Sequence, residues 1–326
     1  MTKRPEDASK NPRISWLKVR KTLMGTAQKS GLIFVVLRYL MLSAIAFVFM
    51  YPLLYMLSRS LMTANDLMDA TTRWLPSTLN WENYEHALQV MAYWHSLGKT
   101  LMLCGIPALL QVIVSCLVGY GFACYQFPLK KWWLGAMLLS YLLPASTTAV
   151  PNYMLFMDMG IVDGTLKPFL LTSALGQGIN STLCILIFFS FHRQVPRVLL
   201  EAAEIDGAGP WRTFFSVALP MAAAGLVVVT LFSFVWYWNE TYLINTYLGY
   251  GHNRSKGMTT LIIELSQFDK HYGESAYATS SSSGDKLNDA YRMAGTAITI
   301  LPLLLLYLVL QRQFVESIDN AGITGE

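Results

Sequence analysis

The sequence predicts an all-α integral membrane protein with six transmembrane helices. Hydrophobic residues make up 54% of the 326-residue chain, charged residues make up 13%, and the mean hydropathy is +0.39. Soluble globular domains typically carry about 25% charged residues, so this composition indicates a membrane protein. Six stretches also contain the roughly 20 predominantly apolar residues that a helix needs to cross a hydrocarbon core of about 30 Å.

The predicted spans divide the chain into an arm, a membrane domain and a tail. We assign residues 1–31 to an N-terminal arm, 32–312 to the transmembrane domain and 313–326 to a C-terminal tail. Outer loops are expected at residues 58–96 and 244–289. In order, the six spans cover about residues 32–57, 97–125, 132–157, 166–191, 219–243 and 290–310.

Prolines and a serine-rich patch predict irregular features in this plan. A proline within a helix removes a hydrogen bond and kinks or breaks the helix. We therefore expect Pro52 to kink the first span, and Pro144 and Pro151 to break the third. The second outer loop is too long for a simple connection, and its residues 280–283 are all serine, so we expect this loop to be mobile or to have a function.

The placement of basic residues predicts which side of the membrane each end occupies. The arm contains eight Lys or Arg residues and two acidic residues, and Lys130-Lys131 follow the second span. Lys and Arg accumulate on the cytoplasmic side of membrane proteins. We therefore expect both termini to be cytoplasmic. A nucleic-acid-binding arm is the alternative, but the charge rule already explains the basic residues, and no nucleic-acid partner is expected.

A polar insert between the fourth and fifth spans, residues 192–218, predicts a docking element for another protein. Pro196 suits the start of one short helix, Gly207 a break after it, and Pro210 the start of a second. Arg193, Arg197 and Arg212 flank the insert and predict that it is cytoplasmic. Helical spacing predicts one apolar stripe with Val198, Ala202 and Ile205, and another with Trp211, Phe214, Phe215 and Ala218. Small residues (Ala202, Ala203, Ala208) permit close approach of a partner, and acidic residues (Glu201, Glu204, Asp206) supply anionic contacts.

Three short motifs in this region carry a resemblance to a known family. Glu201-Ala202-Ala203, Asp206-Gly207-Ala208 and Leu219-Pro220 resemble, in identity and spacing, the EAA loop of permease subunits of binding-protein-dependent ABC importers, in particular the maltose-type carbohydrate group. The resemblance covers nearly the whole chain from about residue 32. The alternative is a chance amphipathic turn between two membrane helices. The sequence departs from many relatives at Ala224-Gly225, where those relatives have a proline, which concerns only the local bend of the fifth span.

The resemblance implies a fold, a set of partners and a docking role for named residues. The implied fold is the MetI-like fold of ABC importer permeases, with a cytoplasmic coupling-helix loop, and the implied location is a bacterial cytoplasmic (inner) membrane. The implied partners are a second, homologous permease subunit, two cytoplasmic ATPase subunits and an extracytoplasmic solute-binding protein. The residues that it assigns to ATPase docking are Glu201, Ala202, Ala203, Asp206, Gly207 and Ala208.

Motifs for catalysis or cofactor binding are not recognisable in the chain. Gly98-Lys99-Thr100 resembles the end of a P-loop, but Tyr93 stands where the first glycine belongs, and the segment opens a membrane helix. The four cysteines have no CxxC spacing and are expected to be buried free thiols. We therefore predict that this chain is not an enzyme and holds no metal or cofactor, and that ATP and magnesium bind to the partner ATPase.

A group of aromatic and polar residues at the end of the fifth span is the candidate for substrate contact. Trp236, Tyr237, Trp238, Asn239 and Glu240 combine rings that stack on sugars with groups that hydrogen-bond to hydroxyls. An interfacial aromatic belt is the alternative. Lys99 stands where relatives commonly have a neutral polar residue, and with Arg292 it would suit an anionic sugar such as a uronate oligomer. The alternative for Lys99 is an interfacial lysine that extends to the membrane surface.

The combined prediction is the permease subunit of an ATP-driven ABC importer for sugars or oligosaccharides. Such a subunit would form half of the translocation path and couple to the ATPase through its EAA loop. An ion-coupled secondary carrier is the alternative, but such carriers usually place ionisable residues within their spans, and this chain has few. A membrane scaffold without transport activity is a third possibility, although it has no need of the docking loop.

Overall fold

The computed structural model describes residues 23, 25–26, 29–69, 74–248, 258–275 and 284–323, and these residues are almost entirely helical. Within the described part, the exception to the all-α prediction is an antiparallel pair of two-residue strands, β1 (Gly25–Thr26) and β2 (Lys29–Ser30). Most of the predicted N-terminal arm lies outside the described residues. The described helices before the docking loop are α1 (Leu32–Ser60), α2 (Ala64–Met68), α3 (Glu82–Val90), α4 (Tyr93–Cys124), α5 (Lys130–Leu142), α6 (Ala145–Asp158), α7 (Lys167–Ala174) and α8 (Ser181–Arg193).

The second half of the chain begins with the docking loop and ends with the longest helix. A π-helical segment, Phe214–Ala218, follows α10 directly. In the last helix, α16, Asp289–Gln313 is the part that is long and apolar enough to span a membrane. The helices are α9 (Arg197–Ile205), α10 (Pro210–Thr213), α11 (Leu219–Met221), α12 (Ala223–Asn239), α13 (Tyr242–Leu248), α14 (Leu261–Ser266), α15 (Phe268–Gly273) and α16 (Gly284–Ile323).

The structure has up to six candidate membrane spans, which fits the predicted six. Helices α1 and α4 and the apolar part of α16 are each long and apolar enough to cross a bilayer alone. Three further helix pairs reach this criterion together, and each is bent: α5 with α6 by 98°, α8 with α9 by 75°, and α10–α11 with α12 by 78°. By length and composition, the described chain therefore has three straight candidate spans and three bent ones.

Helix α4 is the central element of the bundle. It packs against α7, α8 and α12, while α16 packs against α1, α3 and α12. Consistent with this position, α4 contributes many buried residues along its length, including Leu103, Cys104 and Gln111. Helix α1 is different, because its apolar window contains no buried residue. The large apolar surface of α1 is therefore free to contact lipid or another subunit.

The third span breaks at one of the two prolines that were expected to break it. Leu143 and Pro144 adopt extended backbone between α5 and α6, as expected for a proline and the residue before it. Pro151 lies inside α6, so the prediction that it also breaks the helix is wrong. A proline within a helix that continues through it removes one backbone hydrogen bond, and other tertiary contacts can compensate for that loss.

The fourth span, predicted at residues 166–191, is interrupted. Helix α7 ends at Ala174 and α8 begins at Ser181, with non-helical backbone between them. Gly176, just after α7, has φ +71°, and a left-handed glycine at this position ends a helix. Asn180, which precedes the first residue of α8, has φ +54°. The length of the apolar run concealed this interruption, because hydropathy averages over a window and does not register a change of backbone direction.

The predicted outer loop at residues 58–96 is largely helical. Helix α1 continues to Ser60, α2 and α3 follow, and α4 begins at Tyr93. Thr63 and Asp66 form a reciprocal capping box at the start of α2, and Ser77 donates a hydrogen bond to Asp66. That hydrogen bond is the main reason why the pKa of Asp66 lies below its ordinary value. The segment is fastened by Asn83, whose Nδ2 donates to the carbonyls of Ser60 and Met62, at 2.9 Å each.

The predicted outer loop at residues 244–289 also contains helices. It includes most of α13, all of α14 and α15, and the beginning of α16. Glu264 of α14 and His271 of α15 form a buried contact, with 3.0 Å between Oε2 and Nδ1, and Thr259 donates to the other carboxylate oxygen at 2.8 Å. The serine patch at 280–283 lies outside the described residues. At the other end of α16, residues 313–323 of the predicted tail continue the helix.

Candidate functional site

The predicted docking loop forms two helices with a sharp turn at Gly207. Helix α9 follows Pro196, and Gly207 after it has φ +77°. The amide of Gly207 donates to the carbonyl of Glu204 at 3.0 Å, and the amide of Ala208 donates to that of Ala203 at 2.9 Å. This pair of bonds is the Schellman motif, which satisfies the last carbonyl groups of a helix. Both the break at Gly207 and the helix start at Pro210 agree with the prediction.

Helix α9 presents an exposed apolar face. None of its residues is buried, and Val198 and Ile205 are 72% and 86% exposed. Ala202 lies between them in the sequence and is exposed, as are the flanking carboxylates of Glu201 and Glu204. The predicted stripe Val198, Ala202 and Ile205 is therefore exposed on the surface. The remaining predicted docking residues are exposed (Asp206, Gly207) or half-buried (Ala203, Ala208).

The second predicted stripe is wrong, because its four residues do not share one face. Trp211 and Phe215 are 65% and 59% exposed, whereas Phe214 and Ala218 are buried. The π-helical segment Phe214–Ala218 explains the difference. A π-helical turn bonds each amide five residues back, so it changes the spacing on which the predicted stripe was based.

An aromatic cluster connects the docking loop to the ends of two spans. The ring of Phe214 lies 5.0 Å from the ring of Tyr120 in α4 and 6.3 Å from that of His192 in α8, measured between centroids. The rings of Tyr120 and His192 are 5.4 Å apart. Sequence reasoning missed Tyr120 and His192, because no local pattern indicates which residues of distant helices will meet Phe214.

Charged side chains of both signs line a cleft beneath the docking loop. The cleft has a volume of about 440 Å³ and separates α9 from the ends of α4 and α8. Glu201, Glu204 and Arg197 line it from α9, and Arg193 lines it from the end of α8. The two glutamates therefore border both the exposed apolar face and this cleft.

The predicted substrate residues do not form a shared surface. Tyr237 and Trp238 are buried in the core, so their rings are enclosed by protein. Trp236 is half-buried and stacks on Phe232, with 5.6 Å between ring centroids. Asn239 is exposed, and its Nδ2 donates to the carbonyl of Val235 at 2.9 Å. Consecutive helical residues point in different directions, so the three rings do not present one common face. Substrate contact by this group stays a prediction.

The two cations predicted to suit an anionic sugar lie in different surroundings, and their role stays a prediction. Arg292 already contacts two carboxylates, with its guanidinium nitrogens 3.4 Å from Asp269 and 3.9 Å from Asp289. Lys99 is half-buried in α4. An anionic substrate would have to compete with the carboxylates that neutralise Arg292.

A polar cleft lies where three helix interruptions meet. It has a volume of about 280 Å³ and lies between the break that separates α5 from α6, the non-helical residues 175–180, and the end of α12. Of the six predicted substrate residues, Glu240 lines this cleft, where its Oε1 accepts a hydrogen bond from the amide of Leu243 at 2.8 Å. Sequence reasoning missed the other polar residues that line it, among them Asn152, Thr172, Gln177, Asn180 and Thr182.

A buried hydrogen-bond network supports the non-helical wall of the polar cleft. The Nε2 of Gln111 in α4 donates to the carbonyl of Ile179 at 2.7 Å, and the hydroxyl of Tyr237 donates to Gln111 Oε1 at 3.1 Å. The hydroxyls of Ser173 and Tyr237 are 2.6 Å apart. Non-helical backbone at membrane depth requires such partners, because lipid supplies none. Buried Tyr237 therefore has a structural role, because the hydrogen bonds of its hydroxyl help to hold the wall of the cleft in place.

The described residues contain no group of three or more His, Cys, Asp or Glu side chains placed to hold a metal ion. The four cysteines are free; Cys104, Cys116 and Cys184 are buried and Cys124 is half-buried.

Comparisons with known proteins identify the family of the chain. Residues 92–320 match the family model described as "Binding-protein-dependent transport system inner membrane component". The chain is 25% identical over 264 residues to the melibiose/raffinose/stachyose import permease protein MelC of Bacillus subtilis (strain 168), covering 79% of this chain and 86% of that protein. It is 28% identical over 290 residues to the maltodextrin transport system permease protein MdxG of the same organism, covering 88% and 95%.

A solved structure shares the fold. It is described as a bacterial ABC transporter involved in the import of the acidic polysaccharide alginate. The TM-score is 0.64 at 17% sequence identity, and the match covers 86% of this chain and 96% of that one. The fold of the chain is therefore that of an ABC importer permease.

Proposed function

The chain belongs to the family of binding-protein-dependent transport system inner membrane components, and on this premise we propose that it is the permease subunit of an ATP-driven importer for sugars or oligosaccharides. Proteins of this family are transport subunits and not enzymes. The observation that carries the proposal is the exposed apolar face of α9 between carboxylates, inside the part of the chain that matches the family. The sugar transport named for the related MelC and MdxG supports the substrate class.

We propose that α9 and the Gly207 turn seat in a groove of a cytoplasmic ATPase subunit, which binds ATP and magnesium. Val198, Ala202 and Ile205 would bury their apolar surface there, and Glu201 and Asp206 would contact basic groups of the ATPase. The aromatic cluster of Tyr120, His192 and Phe214 would transmit movement of the docking loop to α4 and α8. Closure of two ATPase subunits on ATP would then shift the pair of permeases between two orientations.

The exposed apolar surface of the chain indicates further partners. Many large apolar side chains of α1 and α5 are exposed. We propose that a second, homologous permease and lipid cover this apolar surface. A solute-binding protein would deliver the sugar at the end of the bundle opposite the docking loop. Both termini and the docking loop would face the cytoplasm, in agreement with the distribution of Lys and Arg.

The proposed sidedness can be tested by proteolysis of membrane vesicles. We expect trypsin to cut the loop between Arg193 and Arg212 in inside-out vesicles and to leave it intact in right-side-out vesicles. The fragments can be identified by mass spectrometry. Cleavage of this loop in sealed right-side-out vesicles alone would reverse the assigned orientation.

Reversal of the charge at Glu201 tests the docking function directly. We expect Glu201→Lys to lower the affinity for the ATPase subunit about tenfold or more, because a loss of about 1.4 kcal/mol in binding free energy corresponds to a factor of ten. The measurement is the amount of ATPase that co-purifies with the tagged permease. Glu82→Lys is the matched control, because Glu82 is exposed in α3 and is remote in sequence from the docking loop. Equal recovery of ATPase with both variants would refute docking through α9.

We propose that the polar cleft, rather than the Trp236–Glu240 group as a whole, supplies contacts to sugar hydroxyls. The amide and hydroxyl groups of Gln177, Asn180 and Thr172 can donate to and accept from such hydroxyls. Glu240 remains a candidate because it lines the cleft. The amide-rich lining suits neutral sugars, and the contacts of Arg292 with two carboxylates weaken the case for an anionic one.

Removal of one amide from the polar cleft is expected to slow transport. Gln177 is exposed to the cleft, and loss of one hydrogen bond of about 1 kcal/mol corresponds to a rate change of about fivefold. We expect Gln177→Leu to lower the maximal uptake rate by about that factor without changing the recovery of ATPase. Thr165→Val, at an exposed position outside the cleft, is the control. An unchanged maximal rate in Gln177→Leu would remove the cleft from the sugar path.

A further inference from the structure

A second cleft near the docking loop is lined by four basic side chains. It has a volume of about 680 Å³ and lies between the end of α4, the start of α5 and the end of α8. Lys130 and Lys131 line it from the first turn of α5, Arg193 from the end of α8, and Arg197 from the first residue of α9. We refer to it as the basic cleft.

Two cations of the basic cleft, Arg193 and Arg197, also border the cleft that Glu201 and Glu204 line. Among the residues that the structure describes, none of the four basic side chains has a carboxylate within ion-pair distance. Lys130 donates to the backbone carbonyl of Tyr125 at 2.9 Å, and the guanidinium of Arg193 lies over the ring of Phe189, 5.7 Å from its centroid. Four cations that converge on one cleft repel one another, so an anion bound between them would be stabilised.

The rim and lining of the basic cleft indicate the chemistry of that anion. Trp132, which is 77% exposed, and Leu129, which is also exposed, stand next to the lysines in the sequence and line the same cleft. Phe189 and Leu134 add apolar surface. Exposed tryptophans are typical of the headgroup level of a bilayer, and basic pockets between membrane helices bind anionic headgroups. A free phosphate ion would contact the basic side chains and would leave this apolar surface exposed.

We propose that the basic cleft binds the phosphodiester headgroup of an anionic phospholipid, with its acyl chains against the apolar rim. The lipid would bridge the hairpin between α4 and α5, the end of α8 and the start of the docking helix α9, because Arg197 belongs to α9. Anionic lipid would thereby help to hold the docking loop in position. The inference rests on the proposed membrane function, but it does not depend on ATPase docking or on the transported sugar.

The experiment measures lipid retention by the purified complex, separately from transport. The complex is exchanged into nanodiscs of phosphatidylcholine with or without phosphatidylglycerol, and bound lipid is counted by native mass spectrometry. We expect the wild type to retain phosphatidylglycerol in preference to phosphatidylcholine, and Lys131→Gln/Arg193→Gln to retain several-fold less. Arg38→Gln, an exposed cation of α1 outside the cleft, is expected to behave like the wild type. Inorganic phosphate in excess should not displace the lipid.

Each result bears on the proposal. Equal retention by the double variant and the wild type would overturn it, and so would displacement of the lipid by inorganic phosphate, which would assign the cleft to a free anion. Loss of co-purifying ATPase from the double variant, with unchanged lipid retention, would assign the cleft to a protein partner instead. Failure of the Glu201→Lys test with normal lipid retention would reject the docking function and leave the lipid site standing.

Discussion

Gly207→Val is expected to abolish ATP-driven uptake while the subunit still inserts into the membrane. Gly207 has φ +77°, and a Cβ built on it would meet no atom within 4 Å. The cost of the substitution is therefore conformational and not steric. A β-branched residue held in the left-handed region costs about 1–3 kcal/mol, and relaxation of the backbone would break the two hydrogen bonds that close α9. The carboxylates and the apolar face of α9 would then lose their fixed relation to α10.

Two further variants separate the backbone conformation from side-chain size. Asn tolerates the left-handed region, so Gly207→Asn should retain most of the uptake although it also adds a side chain. Gly209→Val places the same side chain two residues later, where φ is −69° and the space is open, and should be tolerated. Uptake and recovery of ATPase are measured together. A Gly207→Val protein with wild-type levels of both would show that this turn does not couple the permease to the ATPase.

Gly178→Ala is expected to have the largest effect on folding. A Cβ at this position would lie 2.3 Å from Oε1 of Gln111 and 2.6 Å from the hydroxyl of Tyr237. Both groups belong to the buried network that supports the wall of the polar cleft, so they cannot move without losing hydrogen bonds. Overpacking costs about 1–3 kcal/mol, and each buried polar group left without a partner costs about 1–3 kcal/mol more. We therefore expect loss of most of the folded protein.

Gly105→Ala is the matched control for the fold. Gly105 lies inside α4, and a Cβ there would meet no atom within 4 Å. Alanine also favours a helix over glycine by about 1 kcal/mol, so this variant should be at least as stable as the wild type. The measurement is the yield of monodisperse protein in detergent and its thermal unfolding midpoint. If Gly178→Ala and Gly105→Ala unfold at the same temperature, the network around Gln111 does not constrain residue 178.

Features that depend on neighbouring residues and on the bilayer could be predicted from the sequence alone. Hydropathy over about 20 residues predicts membrane spans because the thickness of the bilayer sets their length. Proline, glycine and helical spacing predicted the docking loop, its turn at Gly207 and the exposed stripe of Val198, Ala202 and Ile205, because a surface hairpin is determined largely by its own residues. The family was also identifiable at this level, since the docking motif is contiguous in the sequence.

The tertiary structure alone decided which polar residues meet and which aromatic residues are buried. The polar cleft joins residues from three interruptions that lie far apart in the chain, and Tyr237 is enclosed because Gln111 and Ser173, from other helices, accept and share its hydroxyl. Likewise Phe214 turns inward because Tyr120 and His192 surround it. Such contacts depend on how helices pack and where they bend. Hydropathy averaged over a window of residues gives no information on either. The sequence by itself therefore determined the membrane class and the exposed hairpin around Gly207, whereas helix packing determined where the spans break, the polar cleft and the network behind it.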